Sequence, residues 1–117
     1  MKKMESVVPV NFAAENSPRP EMESVAFLAK ALGDGNRLRI LHALRESRKP
    51  VSLIVEELEI SQPLVSHHLK ELRRVRLVSV ERQGPFVYYS LADTRVLQAM
   101  DLLRELAADL LTHQSPY

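Results

Sequence analysis

The sequence contains no cysteine. That absence excludes a disulfide framework, a thiolate metal site and a thiol redox switch. Missing too is any apolar run near the roughly 20 residues that span a bilayer. The N-terminal MKKMESVVPV has two lysines but no long apolar stretch after them, a poor match to a secretory signal. The expectation is a cytoplasmic protein without membrane contact. Neither sign of charge dominates, with Lys+Arg 16 against Asp+Glu 15. A nucleic-acid-binding surface must then be local. Nothing resembles a nucleophile–base pair or a glycine loop that cradles phosphate, so no enzyme is expected.

What is present reads as one small domain in a chain of 117 residues. Residues 1–20, ending NSPRP, hold three prolines and no sustained helical period. They read as a flexible N-terminal arm, with the domain at 21–113 and a short tail at 114–117. Val25, Leu28, Ala31 and Leu32 recur at helical spacing, and Gly33 is placed to stop that helix. Asp34 can cap a second helix carrying Leu38, Ile40, Leu41 and Leu44. After Lys49-Pro50, Ser52 is the expected cap of a short helix with Leu53, Ile54, Val55 and Leu58. The turn 59–61 and a helix over 62–75 complete a helix-turn-helix.

The period then shortens. Val78, Val80 and Arg82, then Val87, Tyr89 and Leu91, alternate with their neighbours on either side of Gly84-Pro85. That pattern predicts a two-stranded hairpin. Asp93 is positioned to cap a last helix reaching about His113. Its apolar positions, among them Val96, Leu97, Met100, Leu103, Ala107, Leu110 and Leu111, cover more than one narrow stripe. So small a domain has little core to cover that width, so a second copy of this helix and of the 21–32 helix is the expected cover. The alternative is a helix lying across its own core.

SQPLVSHHLK (61–70) contains two adjacent histidines. At about 100° per residue, Val65, Leu69 and Leu72 share one arc with Arg76, and His68 sits about 60° from its centre. His68 therefore reads as a half-packed boundary residue. Pro63, Ser66, His67, Lys70 and Arg74 point the other way. Neighbours on a helix diverge too far to chelate one ion, which argues against a metal reading of the pair. Gln62, Ser66 and His67 can hydrogen-bond base edges or phosphates, and Lys70 and Arg74 can neutralise phosphates. Residues 61–91 hold Lys70, Arg73, Arg74, Arg76 and Arg82 against Glu71 and Glu81, a local excess of +3 in a chain of net +1. The basic bias is thus concentrated where DNA would lie.

Three segments together, LAKALGDGNRLRILHAL (28–44), SQPLVSHHLKELRRVRLV (61–78) and VERQGPFVYYSL (80–91), resemble the ArsR/SmtB family of bacterial transcriptional repressors. The resemblance covers about residues 21–113. It implies a mostly α fold with a small β-hairpin, a winged helix-turn-helix in the order α1-α2-α3-α4-β1-β2-α5. It also implies a homodimer through the first and last helices, bound to double-stranded operator DNA. The recognition helices would enter major grooves about 34 Å apart, with the wings on flanking backbone. Carried over residue by residue, Gln62, Ser66 and His67 face bases, Ser61 and Lys70 contact phosphates, and Arg82 and Gln83 lie at the wing tip. Arg37 matches an arginine in a DPTRL-like helix start, where a structural role at the helix N-terminus is the other reading. Gly35 stands where that motif usually has proline, which softens the first turn.

The resemblance departs where metals are sensed. Against the CVCDL-like string of thiolate sensors this chain reads PVSLI, with Pro50 and Ser52 at the cysteine positions and Leu53 at the aspartate. Neither proline nor a hydroxyl replaces a soft thiolate. A second family site uses a D-x-H pattern early in the last helix, and here Asp93-Thr94-Arg95 lacks the histidine. Asp101 and Glu105, or Asp109 and His113, are spaced i and i+4 and could hold zinc or nickel with help from a partner. Their plainer reading is the solvated face of an amphipathic helix. The leading expectation is a DNA-binding transcriptional repressor without a thiolate metal site and without a cofactor. Its alternatives are a zinc- or nickel-sensing repressor and a winged-helix protein-interaction module.

Overall fold

A computed structural model describes residues 18–112. Its elements run α1 (Pro18–Ala31), α2 (Gly35–Ala43), α3 (Val51–Leu58), α4 (Gln62–Arg74), β1 (Val78–Gln83), β2 (Phe86–Leu91) and α5 (Arg95–Leu111). Most of the expected arm, His113 and the tail 114–117 lie outside the described residues. The helix expected from Glu21 begins earlier, at Pro18, inside the stretch read as arm. Proline suits a first helical turn, where its missing N–H has no intrahelical acceptor.

The α1–α2 junction differs from the sequence expectation. Among the described residues, Gly84 is the glycine with positive φ, so Gly33 does not end α1 as a left-handed cap. Arg37 does part of that work from α2. Its Nε donates to the Ala31 carbonyl at 2.6 Å and one terminal nitrogen donates to Lys30 O at 3.2 Å. The Gly33 amide also donates to Lys30 O, at 3.1 Å, and the guanidinium adds a partner for the Ala31 carbonyl at the helix end. Asp34 caps α2 as its sequence position predicts, accepting from the Asn36 and Arg37 amides at 2.8 and 3.2 Å.

Helix α3 starts one residue before the expected cap, so Ser52 lies inside it and caps nothing. Lys49 exchanges two backbone hydrogen bonds with Tyr89, each 2.8 Å, adding a one-residue bridge to the hairpin. Extended Pro50 then leads straight into Val51. The bridge, a contact 40 residues away in the chain, decides where α3 begins.

The helix-turn-helix turn needs no glycine. Glu59 takes the left-handed conformation (φ 57°) and its amide reaches Val55 O at 2.9 Å. Ser61 then caps α4, its hydroxyl accepting from the Leu64 amide at 3.3 Å. Arg76 is also left-handed (φ 68°) and ends α4, with amide bonds from Arg76 to Arg73 O and from Leu77 to Leu72 O. This reversal turns Arg76 out to solvent, although at helical spacing it shares an arc with Val65, Leu69 and Leu72.

Val65, Leu69 and Leu72 of α4 meet Ile40 and Leu41 of α2 and Ile54 of α3 at the centre of the core, each at most 1 % exposed. Burying one such side chain contributes about 1.5–3 kcal/mol. The antiparallel hairpin pairs Val78 with Leu91 through to Gln83 with Phe86. Gly84 (φ 63°) occupies the first central position of its two-residue turn, where a type II′ turn requires glycine. Helix α5 follows Asp93, whose carboxylate accepts from the Arg95 amide at 2.9 Å. It adds Val96 and Met100 to the core.

Candidate nucleic-acid interface

Packing of α4 fixes what its other face can do. With Val65, Leu69 and Leu72 inward, Ser61, Gln62, Ser66, His67 and Lys70 are all exposed. Gln62, Ser66 and Lys70 have no side-chain hydrogen bond or ion pair among the described residues. Their donors and acceptors are satisfied by water alone and can be exchanged for a ligand's groups. Ser61 spends its acceptor on the Leu64 amide but keeps its O–H.

The remaining expected contact residues are differently placed. Arg74 donates to Glu71 Oε1 at 3.1 Å and lies over the Phe27 ring at 5.4 Å. It is thus tied to its own helix and to α1 rather than standing clear. Gln83 accepts from Arg48 at 3.2 Å, while Arg82 is exposed without a side-chain partner among the described residues. Asp101, Glu105 and Asp109 lie along exposed α5.

The adjacent histidines have separate environments. His68 is only 5 % exposed, deeper than a boundary residue. Its Nδ1 faces an Arg37 nitrogen at 3.5 Å, and its Nε2 lies 3.9 Å from Asp34 Oδ1. An arginine only donates, so Nδ1 accepts and the proton belongs on Nε2, toward the carboxylate. Burial, together with the Arg37 and His67 charges, pushes the His68 pKa down against the opposing pull of Asp34. His68 is therefore neutral at pH 7. Desolvation raises the Asp34 carboxyl, but the Arg37 and Asn36 amides, with the His68 and Arg37 charges, outweigh it and leave its pKa lowered. Asp34, Arg37 and His68 thus lock α4 to the α1–α2 corner. His67 is exposed beside them, on the groove that α4 forms with Phe27 and Lys30 of α1.

Two features were not singled out from the sequence. Arg73 is exposed without a side-chain partner, and eleven residues after Gln62 it returns to within about 20° of it. That spacing was available in the sequence. Arg48 was not recognisable: it donates to Glu81 Oε1 at 2.8 Å and lies 4.3 Å from the Tyr88 ring centroid. It joins the segment before α3 to both strands of the hairpin.

Comparison with known proteins agrees with this geometry. Residues 34–80 match the family described as bacterial regulatory protein, arsR family. An HTH-type transcriptional regulator of Methanocaldococcus jannaschii is 38% identical over 85 residues, 72% of this chain and 96% of that protein. A transcriptional repressor SmtB homolog of Synechocystis is 40% identical over 90 residues, 77% of this chain and 66% of that longer protein. The homodimeric winged helix-turn-helix DNA-binding domain of a Mycobacterium bovis protein superposes with a TM-score of 0.72 at 25% identity, covering 94% of this chain and 99% of that one. Buried face, capped reading helix, wing and relatives agree: the chain belongs to the arsR family of bacterial regulatory proteins and is a DNA-binding transcriptional regulator.

Proposed function

We propose that this chain acts as a homodimeric repressor that grips double-stranded operator DNA with one α4 helix in each of two major grooves. The observation that carries this reading is the outward row of α4. Gln62, Ser66 and Lys70 stand exposed and unpartnered, while His68 on the same helix is locked inward. Gln62, Ser66 and His67 read base edges, whereas Ser61, Lys70 and Arg73 hold phosphates. Arg82 at the wing reaches flanking backbone.

Dimerisation is supported by the apolar surface of the first and last helices. Met22, Val25 and Leu28 of α1 and Leu102, Leu106 and Leu110 of α5 are each at least 40 % exposed. Apolar area on that scale marks an association surface, and a two-fold dimer is its simplest closed solution. The Mycobacterium bovis domain is itself homodimeric. With no cysteine in the chain, repression does not respond through thiolates.

A gel-shift titration against the DNA upstream of the chain's own gene tests the reading. Binding should weaken steeply between 50 and 200 mM salt, by about 10³-fold for six phosphate contacts. Absent or salt-insensitive binding would overturn it.

A further inference from the structure

Helices α2, α3 and α5 diverge around a cleft of about 680 Å³ that the proposed DNA contacts do not use. That volume lies within the range of small-ligand sites. The cleft's floor is aliphatic, formed by Leu38, Leu58, Met100, Leu103 and Ala107. Its rim is cationic, with Arg39, Arg45 and Arg104. Glu57, the carboxylate among the lining residues, is already paired with Lys49 Nζ at 2.8 Å. Arg104 has no hydrogen-bond or ion-pair partner among the described residues. Arg45 faces Glu46, its Nε 3.9 Å from Oε2, whereas Arg39 and Arg104 have no carboxylate partner among the described residues. An apolar floor under that unpaired positive charge suits a ligand with the opposite charge and a hydrocarbon body. A small hydrophilic anion leaves the floor wet, and a neutral hydrocarbon leaves the arginines unanswered. No phenyl, phenol or indole ring lines the cleft to stack on an aromatic ligand.

We propose that this cleft is an effector site for a medium-chain aliphatic carboxylate. The chain lies on Leu38, Met100 and Leu103, and the carboxylate sits between Arg39 and Arg104. A direct connection to the reading helix exists. One terminal nitrogen of Arg39 donates to Leu58 O at 2.9 Å, and the other to Asn36 Oδ1 at 3.2 Å. Leu58 ends α3 immediately before left-handed Glu59, the first residue of the turn into α4. A carboxylate competes for the Arg39 guanidinium, takes away the partner of the Leu58 carbonyl and loosens that turn. The ligand then lowers operator affinity, and DNA lowers ligand affinity by the same factor. This regulatory consequence rests on the DNA-binding reading; the site itself does not.

Calorimetric titration of octanoate into the full chain, without DNA, tests the site. One saturable site is expected, weakened at least tenfold by Arg104→Ala, a change that removes no hydrogen bond or ion pair among the described residues. Leu103→Trp, filling the cleft, should abolish it, and octanol and acetate should not bind measurably at the same concentrations. Octanol binding as well as octanoate, or octanoate binding untouched by both variants, overturns the proposal. So does an absence of octanoate binding. If Leu103→Trp then also shifts the monomer–dimer equilibrium in sedimentation, the cleft belongs to a second copy of the chain. Saturating octanoate should lower operator affinity at least about fivefold in a gel shift, and unchanged affinity overturns the effector role. Failure to bind DNA without octanoate defeats the DNA-binding reading alone, since the titration still decides the site.

Discussion

Helices α4 and α5 are both amphipathic, yet one is completed by its own domain and the other is not. In α4, Val65, Leu69 and Leu72 are essentially inaccessible and the opposite face is polar. In α5, Val96 and Met100 are buried, whereas Leu102, Leu103, Leu106, Leu110 and Leu111 are 46 to 67 % exposed. An apolar row is therefore no guide by itself to intrachain packing. What matters is whether the rest of the fold reaches it. The first turns of α5 lie against α2, and its second half runs past the end of the domain, opening the cleft on one side and an association surface on the other.

The comparison can be broken most sharply at Leu69. Leu69→Ala should destabilise the fold by about 2–5 kcal/mol, because a fully packed side chain leaves a cavity that the core fills only partly. Urea denaturation measures this, and a loss under about 1 kcal/mol shows that Leu69 is not packed at the centre of the core. Leu106→Glu on α5 should spare the monomer fold but give monomers in sedimentation equilibrium. Operator affinity should then fall about a hundredfold or more as the two half-sites lose their linkage. A dimer that persists in this variant places the interface elsewhere.

Within α4 the two faces can be set against each other. Ser66→Ala or His67→Ala should cost about 1–3 kcal/mol of operator affinity per lost base contact, with an unchanged melting temperature. His68→Ala should lower the melting temperature first, since it strips the acceptor that faces Arg37. Swapped outcomes would invert the face assignment. The smallest effect concerns pH. The folded-state pKa of His68 is lowered, so as pH falls the unfolded chain takes up its proton first. Stability should be flat above the ordinary histidine range and should decline as pH drops through about 6.5 toward the lowered folded value. His68→Gln keeps an acceptor for Arg37 and should flatten that decline. A slope that survives in this variant belongs to another group.

Much of this was legible in order along the chain. The 3.6-residue period of α4, the Asp34 cap and the Gly84-Pro85 tip each depend on residues a few positions apart, so their geometry follows from local chemistry. Gly33 marked the end of α1 correctly, since the helix stops at Ala31 and the Gly33 amide bonds back to Lys30 O, although without a left-handed φ. Ser52 misled: it is a good local signal overridden by the Lys49–Tyr89 bridge. The candidate interface was legible where helical period alone decides exposure, at Gln62, Ser66, His67 and Lys70. Arg74 and Gln83 are exposed as well, but their contacts with Phe27 and Arg48 come from elsewhere in the chain and no local pattern announces them.

Sequence by itself thus determined the order of the elements, the Asp34 cap and the two faces of α4, since backbone period and short-range hydrogen bonding act between near neighbours. Only the tertiary structure decided that His68 is buried against Asp34 and Arg37 and that Arg48 steadies the wing. Those outcomes rest on pairs 31 and 33 residues apart. No local pattern encodes them, because each depends on which distant surfaces the folded chain brings within a few ångströms.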